Sequence, residues 1–161
     1  VTVSWCRFEP NPVNLDHGAW LISDPSTPDD RNITCTSHHN YFHENQVRQP
    51  LCRYAKFHSF NNLYYQGDIG VDAGAGASIL SENDIYVKPS YSAIHRLRLK
   101  VDVDELGIDA DAVKSVNPWL QNGAILDSIN PGSIFTPPYS YSPATANAAL
   151  QTAIEAGAGA Q

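Results

Sequence analysis

The chain has 161 residues, with 10 Lys and Arg against 17 Asp and Glu and a formal net charge of −7 at pH 7. This acidic balance argues against nucleic acid and against an anionic membrane surface as partners, because both are bound through clustered positive charge. The length fits one domain, 1–161, with a real core, and no apolar run approaches the roughly 18 residues of a membrane span.

The first residues read as an alternating strand, V-T-V-S-W at 1–5. Neither an initiator methionine nor a signal peptide stands ahead of this pattern. Because a complete domain rarely begins in the middle of a strand, we expect the chain to be the C-terminal part of something longer, incomplete at its N-terminus.

Short strands alternate with loops rich in Pro, Gly and Asp through residue 87, and no stretch before residue 140 has helical periodicity. The residues from 88 onward are predicted to form a C-terminal flank, in which 97–103 alternates as an amphipathic strand and an acidic run follows. The predicted strands are 1–8, 19–22, 32–42 and 77–87, the stretch 51–65 is predicted to be rich in strands, and the main loops are 9–18, 23–31 and 66–76.

An asparagine recurs two residues before a large apolar residue, at positions 40, 62 and 83. A period near 22 in short strands without helices favours an all-β solenoid, with a β-sandwich of coincidental spacing as the alternative. Inward asparagines of successive coils would hydrogen-bond in a ladder, and the apolar residues would stack in a column. The predicted ladder is Asn40, Asn62 and Asn83, and the predicted column is Phe8, Phe42, Tyr64 and Ile85.

The tail carries the one convincing helix. Ser142 is predicted as its N-cap and Pro143 as its first residue, with Gly157 as the stop. Leu150 and Ile154 share one face, so we expect this short helix to pack on the flank or end of the solenoid.

The three cysteines, Cys6, Cys35 and Cys52, cannot all pair within one chain, and their spacing does not suggest a zinc site. Each lies in an apolar or β-branched run, so we expect small buried side chains. One disulfide with one free thiol is the alternative.

A cluster of positive charge lies at 47–58. Three of the ten cations, Arg48, Arg53 and Lys56, fall within nine residues, and Pro50 stands between the two arginines. Residues five apart on a plain strand face opposite sides, whereas a break at Pro50 can bring both arginines to one groove. This cluster predicts a negatively charged partner, and the alternative is a solvated turn.

Seven stretches of the chain form one recognisable set. They are V-T-V-S-W at 1–5, R-N-I-T at 31–34, H-H-N-Y-F at 38–42, R-Q-P-L-C-R at 48–53, F-H-S-F-N-N-L-Y-Y at 57–65, I-L-S-E-N-D at 79–84 and F-T-P-P-Y-S-Y at 135–141. Together they resemble pectate lyases of the first polysaccharide lyase family. The resemblance implies a right-handed parallel β-helix with loops on one side, secretion, calcium dependence, and cleavage of polygalacturonate by β-elimination. The expected partner is then an acidic polysaccharide, bound by a monomer.

The same resemblance assigns roles to the cation cluster. Arg48 matches the position of the catalytic base, Arg53 matches the arginine that grips the substrate carboxylate, and Lys56 is a further candidate for substrate binding. An arginine serves as a base only where surrounding positive charge disfavours its protonated form. We therefore expect Arg48 to depend on its neighbours. The resemblance also implies that the histidines at 38, 39 and 58 are packing residues and not metal ligands.

Two departures from the family pattern stand out. Gly18 occupies the position of the usual lysine. The family's main calcium ligands are expected upstream of Val1, so the metal site cannot be assigned, although four loop acids are candidates. A non-catalytic β-helix that binds acidic polysaccharide, an inactive fragment of a lyase, and a hydrolase on the same fold are the alternatives. The loop acids are Asp16, Asp24, Asp29 and Asp30.

Overall fold

The computed structural model describes residues 1–10, 18–24, 31–44, 48–67, 69–87, 92–96, 112–126 and 130–160. Short strands dominate this part of the chain, and one helix follows them. The elements are β1 (Thr2–Ser4), β2 (Arg7–Phe8), β3 (Leu21–Ile22), β4 (Thr34–His38), β5 (Tyr41–His43), β6 (Leu51–Cys52), β7 (Lys56–Phe60), β8 (Leu63–Tyr65), β9 (Ile69–Ala73), β10 (Ser78–Glu82), β11 (Ile85–Val87), β12 (Ser92–Arg96), β13 (Ala112–Val116), β14 (Trp119–Gln121) and α1 (Ala148–Gly157).

The strands form three parallel sheets, which each coil visits in turn. Sheet 1 has the order β1-β4-β7-β10-β13, sheet 2 the order β14-β11-β8-β5-β2, and sheet 3 the order β12-β9-β6-β3. Thr34, Lys56 and Ser78 are register partners, so equivalent positions of these coils differ by 22 in sequence number. The predicted right-handed parallel β-helix is confirmed.

The coils of unequal length keep the same register. Thr2 pairs with Thr36 and Ser78 with Ala112, and these partners differ by 34 in sequence number instead of 22. The sheets also continue past residue 87 through β12, β13 and β14. The extra residues therefore lie between the paired strands, and the stack of strands is not displaced.

The corners of the coils are made by residues in the left-handed backbone region. One such residue directly follows every strand of sheet 1. Asparagine tolerates this region better than most residues, which explains why it recurs there. The predictions of single strands over 1–8 and 32–42 are therefore wrong, since each is broken by a corner, whereas 51–65, predicted to be rich in strands, contains β6, β7 and β8. The residues after the sheet 1 strands are Trp5 (φ 56°), His39 (φ 56°), Asn61 (φ 54°), Asn83 (φ 50°) and Asn117 (φ 48°).

The predicted ladder exists, but its third member is Asp84 and not Asn83. Asn40 Nδ2 donates to Asn62 Oδ1 at 3.1 Å, and Asn62 Nδ2 donates to Asp84 Oδ1 at 3.2 Å. The backbone N–H of Asn62 also donates to Asp84 Oδ1 at 2.7 Å. Asn83 is a corner residue one position earlier, so the spacing from Asn62 to Asn83 was one short of the true period.

The predicted aromatic column needs the same shift of one residue. Phe8, Phe42, Tyr64 and Tyr86 stack face to face, with centroid distances of 4.6, 4.8 and 4.8 Å along the column. Ile85 was predicted in this column and is not in it. Because adjacent residues of a strand face opposite sides, Ile85 instead packs in a second cluster, between sheet 2 and α1.

Asp84 gives the fold a pH dependence that can be measured. The carboxylate is fully buried and accepts from Ser59 Oγ at 2.6 Å and Ser81 Oγ at 2.7 Å. Burial raises its pKa from 3.8 to about 6, although these hydrogen bonds oppose the shift. An acid with a raised pKa in the folded state stabilises the fold below its unfolded pKa and loses that contribution as pH rises through the folded value.

Replacing Asp84 with Asn is expected to remove this loss of stability at higher pH. The amide can donate to the Ser81 hydroxyl, as Asn62 Nδ2 donates to Ser59 Oγ at 3.0 Å. Relative to the parent, D84N should gain stability between about pH 4 and pH 6, by up to about 3 kcal/mol. Urea unfolding at a series of pH values measures the difference. The exposed Asp24→Asn is the control, and equal pH profiles for D84N and the parent would contradict the prediction.

The tail helix is present but begins later than predicted. Its N-cap is Asn147, whose side chain accepts from the Leu150 N–H at 3.0 Å. Ser142 is not the cap, because the Asn61 side chain holds the backbone N–H and C=O of Ala144, both at 2.7 Å, and keeps that segment out of the helix. As predicted, Leu150 and Ile154 are buried, and they pack in the second cluster against sheet 2.

Two further predictions are settled by the described residues. The predicted loop at 66–76 contains β9, where Val71 and Ala73 are fully buried, so that prediction is wrong. Cys35 and Cys52 are buried as predicted, whereas Cys6 is exposed, and all three thiols are free. Cys6 lies in the coil at the edge of sheets 1 and 2. The predicted strand at 97–103 lies outside the described residues.

No helix in the described part of the chain has the length and apolar character needed to cross a membrane.

Candidate functional site

Arg48 and Arg53 lie on either side of β6 in sheet 3. Arg48 lies three residues before the strand, and Arg53 directly follows it. Backbone hydrogen bonds tie both residues to the preceding coil, because the Trp20 N–H donates to Arg48 O at 2.9 Å and the Arg53 N–H donates to Ile22 O at 3.0 Å. The structure thus places the two predicted arginines before and after one short strand.

The loop before β6 turns sharply so that its two ends differ in exposure. Arg48 is exposed and lies in the left-handed backbone region, with φ at 57°. Gln49 is fully buried, and the peptide bond from Gln49 to Pro50 is cis. Pro50 is buried as well. The loop is therefore anchored inward at 49–50 and presents the Arg48 side chain to solvent.

Gly18 packs directly against the side chain of Arg48. A Cβ at position 18 would lie 2.3 Å from Arg48 Cβ and 2.6 Å from Arg48 Cδ, far inside van der Waals contact. The absence of a lysine here has a physical reason, because the Arg48 side chain fills the space that any side chain at position 18 would need.

Lys56 lies on a different sheet from the two arginines. It opens β7 of sheet 1, after a corner at Tyr54, and is exposed. The Tyr54 N–H donates to Ala75 O at 2.7 Å, which fixes this corner to the next coil. The structure places Arg48 and Arg53 before and after one strand but sets Lys56 beyond the corner, and the roles of all three stay predictions.

Arg31 is a further cation at this corner that the sequence reasoning did not single out. Its guanidinium lies over the Tyr54 ring, 5.7 Å from the centroid. Its Nη2 would lie 3.1 Å from a Cβ at Gly76. Arg31 precedes Arg53 by one period of the repeat, as Thr34 precedes its register partner Lys56. The repeat period is therefore the signal that could have found it.

The described residues do not make a calcium site. Among them, no three of His, Cys, Asp and Glu are grouped to hold a metal ion. On sheet 3, Asp72 of β9 is the register partner of Leu51 and is nearly fully buried. One carboxylate falls short of the six to eight oxygen ligands of Ca²⁺. Of the candidate loop acids, Asp24 is described and exposed, and the other three lie outside the described residues.

The histidines of sheet 1 have packing partners. His58 is fully buried, and its Nε2 lies 3.0 Å from Glu82 Oε2. His38 stacks on Phe60 with centroids 4.9 Å apart, and His39 stacks on Trp5 at 4.7 Å. These contacts agree with the packing role expected for them.

Comparison with known proteins identifies relatives of the chain. A family model described as pectate lyase matches residues 1–161. A pectate trisaccharide-lyase of Bacillus licheniformis is 32% identical over 89 residues, which are 53% of this chain and 24% of that protein. A pectate trisaccharide-lyase of Thermotoga maritima is 36% identical over 72 residues, which are 42% of this chain and 18% of that protein. The matched regions thus span about a quarter or less of the curated relatives.

Solved structures with the same fold cover nearly the whole chain. A pectate lyase of Bacillus sp. N165, in complex with trigalacturonate, superposes with a TM-score of 0.70 at 24% identity, over 98% of this chain and 48% of that one. The major allergen of cedar pollen superposes with a TM-score of 0.76 at 24% identity, over 98% of this chain and 46% of that one. At this identity the superpositions show the fold, and the match over all 161 residues shows the family. The chain belongs to the pectate lyase family.

Proposed function

We propose that the protein is a pectate lyase, which cleaves α-1,4-polygalacturonate by β-elimination and releases unsaturated oligogalacturonides. The observation that carries this proposal is the pair Arg48 and Arg53, held before and after β6 by backbone hydrogen bonds in a chain of this family. The relatives described as pectate trisaccharide-lyases and the neighbour solved with trigalacturonate support the substrate class.

The proposed reaction breaks two bonds of the substrate and forms a double bond. The exposed Arg48 takes the proton from C5, which lies next to the uronate carboxylate. The electron pair of the C5–H bond forms the C4–C5 double bond as the C4–O bond to the next sugar breaks, and the departing oxygen takes up a proton. Negative charge builds on the carboxylate during this step, so a cation placed there stabilises the transition state more than the ground state.

Arg53 is proposed to supply that cation. A guanidinium can hold a carboxylate through two parallel N–H···O hydrogen bonds, which fixes the orientation of the uronate as well as its charge. Arg31 and Lys56 add positive charge near the corner at Tyr54. A base of this type requires positive charge around it.

Calcium is the proposed cofactor, held by residues other than those described, and the proposed location of the protein is extracellular. A bound calcium ion would supply further positive charge at the substrate carboxylate. Since the described residues do not form such a site, we derive no step of the reaction through the ion.

The test is an assay of the full-length protein on polygalacturonate, following the ultraviolet absorbance of the conjugated unsaturated uronide. A rise in absorbance is expected. New reducing ends without a new double bond would show a hydrolase and overturn the proposal. Binding of polygalacturonate without any product would show a non-catalytic β-helix, the second candidate, which is favoured by the glycine at position 18.

Removal of calcium is expected to abolish most of the activity. After treatment with EDTA and gel filtration, the rate should fall to below about a tenth, because charge stabilisation by the metal is lost. Addition of CaCl₂ should restore the rate, and MgCl₂ is the control. A full rate in the chelated protein would contradict calcium dependence while leaving the lyase assignment in place.

Replacing Gly18 with Ala is expected to displace Arg48. The new Cβ would require the Arg48 side chain to move by about 1 Å or more, and a shift of this size costs on the order of 10²-fold in rate. Lysine at this position should be no better, since it carries the same Cβ. Gly132→Ala is the matched control, because a Cβ there meets nothing within 4 Å. An unchanged kcat/KM in Gly18→Ala would show that Arg48 tolerates displacement.

A further inference from the structure

A second candidate binding site lies on the outer face of sheet 1, away from β6. A cavity of about 240 Å³, open to solvent, lies where the segment 139–141 crosses the strands of this sheet. Its lining includes residues of β1, β4 and β7. Nothing in the proposed β-elimination uses this cavity, so its chemistry stands apart from the proposed function.

Aromatic rings form a corner in this cavity. The rings of Tyr139 and Tyr141 meet at 63° with centroids 5.7 Å apart, and Phe60 lies 5.6 Å from Tyr141. His38 stacks on Phe60 behind them. Tyr139 is 38% exposed, so the corner is open to solvent and not a closed core.

Buried polar groups hold the Tyr139 ring in place. Its hydroxyl lies 2.6 Å from His58 Nδ1 and 2.7 Å from Thr36 Oγ1. Burial lowers the pKa of His58, which favours the neutral imidazole. A neutral His58 that donates from Nε2 to Glu82 accepts at Nδ1 from the Tyr139 hydroxyl, and the Tyr139 oxygen is then free to accept from Thr36.

Tyr141 packs against the same histidine. The rings of His58 and Tyr141 meet edge to face, with centroids 4.5 Å apart. Burial, together with the Glu82 carboxylate, raises the pKa of Tyr141 to about 12. His58 thus contacts both tyrosines, Tyr139 through its hydroxyl and Tyr141 through its ring. Rings that are already held in position lose little conformational entropy on binding a ligand, which is the general advantage of a preorganised site.

Apart from its rings, the lining of the cavity consists of hydroxyl groups, which carry no charge. Hydroxyl groups of Thr2, Thr36 and Ser140 surround the corner, and neither Lys nor Arg is among the described residues that line it. The Glu82 carboxylate lies behind the tyrosines and disfavours an anion. The complementary ligand has an apolar face for the rings, a rim of hydroxyl groups, and no negative charge.

We propose that this cavity binds a neutral sugar ring of the pyranose type. Such a ring presents axial C–H groups to an aromatic face and hydroxyl groups at its edge. The cavity is smaller than the roughly 300–1,000 Å³ of sites for drug-sized ligands, which suits one sugar residue and not a longer segment. A uronate, the sugar proposed for the arginines, is excluded by the charge of Glu82.

The test is saturation-transfer NMR of the full-length protein with three neutral probes, the methyl pyranosides of galactose, glucose and xylose. At least one probe is expected to bind with a Kd of about 1 mM. Sodium galacturonate should fail to displace it from the cavity. Arg48→Ala should bind the probe as the parent does, which separates this result from the outcome for the proposed lyase activity.

Two variants locate the binding. Tyr141→Ala removes one ring and should weaken binding at least tenfold. Thr2→Trp fills the cavity from an exposed position without touching the buried network, and it should have the same effect. Tyr65→Ala, on sheet 2, is the control for loss of a tyrosine. No saturable signal from any neutral probe up to about 50 mM, or unchanged binding in Thr2→Trp, would overturn the proposal.

Discussion

Arg48→Ala is expected to reduce kcat on polygalacturonate by about 10²–10⁴-fold, the usual contribution of a positioned general base. KM should change little, because the substrate carboxylate is proposed to be held by Arg53. Arg53→Ala should show the opposite balance, with a raised KM as well as a lower kcat. Initial rates of double-bond formation over a range of substrate concentrations measure both constants.

Lys114→Ala is the control for the loss of one positive charge. Lys114 lies on β13 of sheet 1, two coils from β6. Lys114→Ala removes a cation without altering sheet 3, so both kinetic constants should remain near those of the parent. If Arg48→Ala keeps more than about a tenth of the parental kcat, the base is a different group.

Phe42→Ala is expected to cost about 3–5 kcal/mol of unfolding free energy, the range for a large buried aromatic residue. Phe42 is fully buried and stacks on both faces, with Phe8 at 4.6 Å and Tyr64 at 4.8 Å. The neighbouring rings are fixed by their own strands, so the cavity cannot readily close. Urea unfolding followed by circular dichroism measures the change.

Phe8 provides the matched comparison within the same column. It stacks on Phe42 and lies at the end of sheet 2, where it is half-buried, whereas Phe42 is fully buried. Phe8→Ala should therefore cost clearly less than Phe42→Ala. Equal costs for the two variants would mean that the deeper burial of Phe42 does not add to stability.

The architecture could be predicted from the sequence because the repeated side chains contact one another in successive coils. Asn40 and Asn62 are 22 residues apart and hydrogen-bond directly, so their spacing is the pitch of the solenoid in residues. The third coil was misread because Asn83 and Asp84 are adjacent and either fits a period near 22. The register decides between them, because Ile85 pairs with Leu63 and Asp84 is therefore equivalent to Asn62.

Other misreadings arose where tertiary contacts override local preference. Strand β9 has the Gly and Asp content of a loop, yet Val71 and Ala73 complete the core of the coil. Ser142 has the local sequence of an N-cap, but Asn61, 83 residues from Ala144, holds that segment instead. Neither contact can be read from neighbouring residues.

The sequence named the residues of the candidate site but did not reveal their arrangement. The residues of 48–53 indicated Arg48 and Arg53, and the structure places them before and after the short strand β6. The corner that moves Lys56 to another sheet depends on Tyr54 in the left-handed region, which has no clear sequence signature. The packing of Gly18 under Arg48 joins two loops that are distant in sequence, and a lone glycine in a loop does not indicate such a contact.

The unequal coils have a consequence for how such a protein can diversify. Sheet 1 is continuous although its neighbouring strands are joined by unequal lengths of chain. Thr2 and its partner Thr36 are further apart in sequence than the partners in the middle of the sheet, and so are Ser78 and Ala112. Insertions of about a dozen residues are therefore absorbed outside the stack, at a cost that grows only slowly with loop length. The segments on either side of sheet 3 can lengthen or shorten by mutation while β6, which lies between the two arginines, keeps its position. In this scaffold, ligand specificity and frame stability can evolve as separate traits.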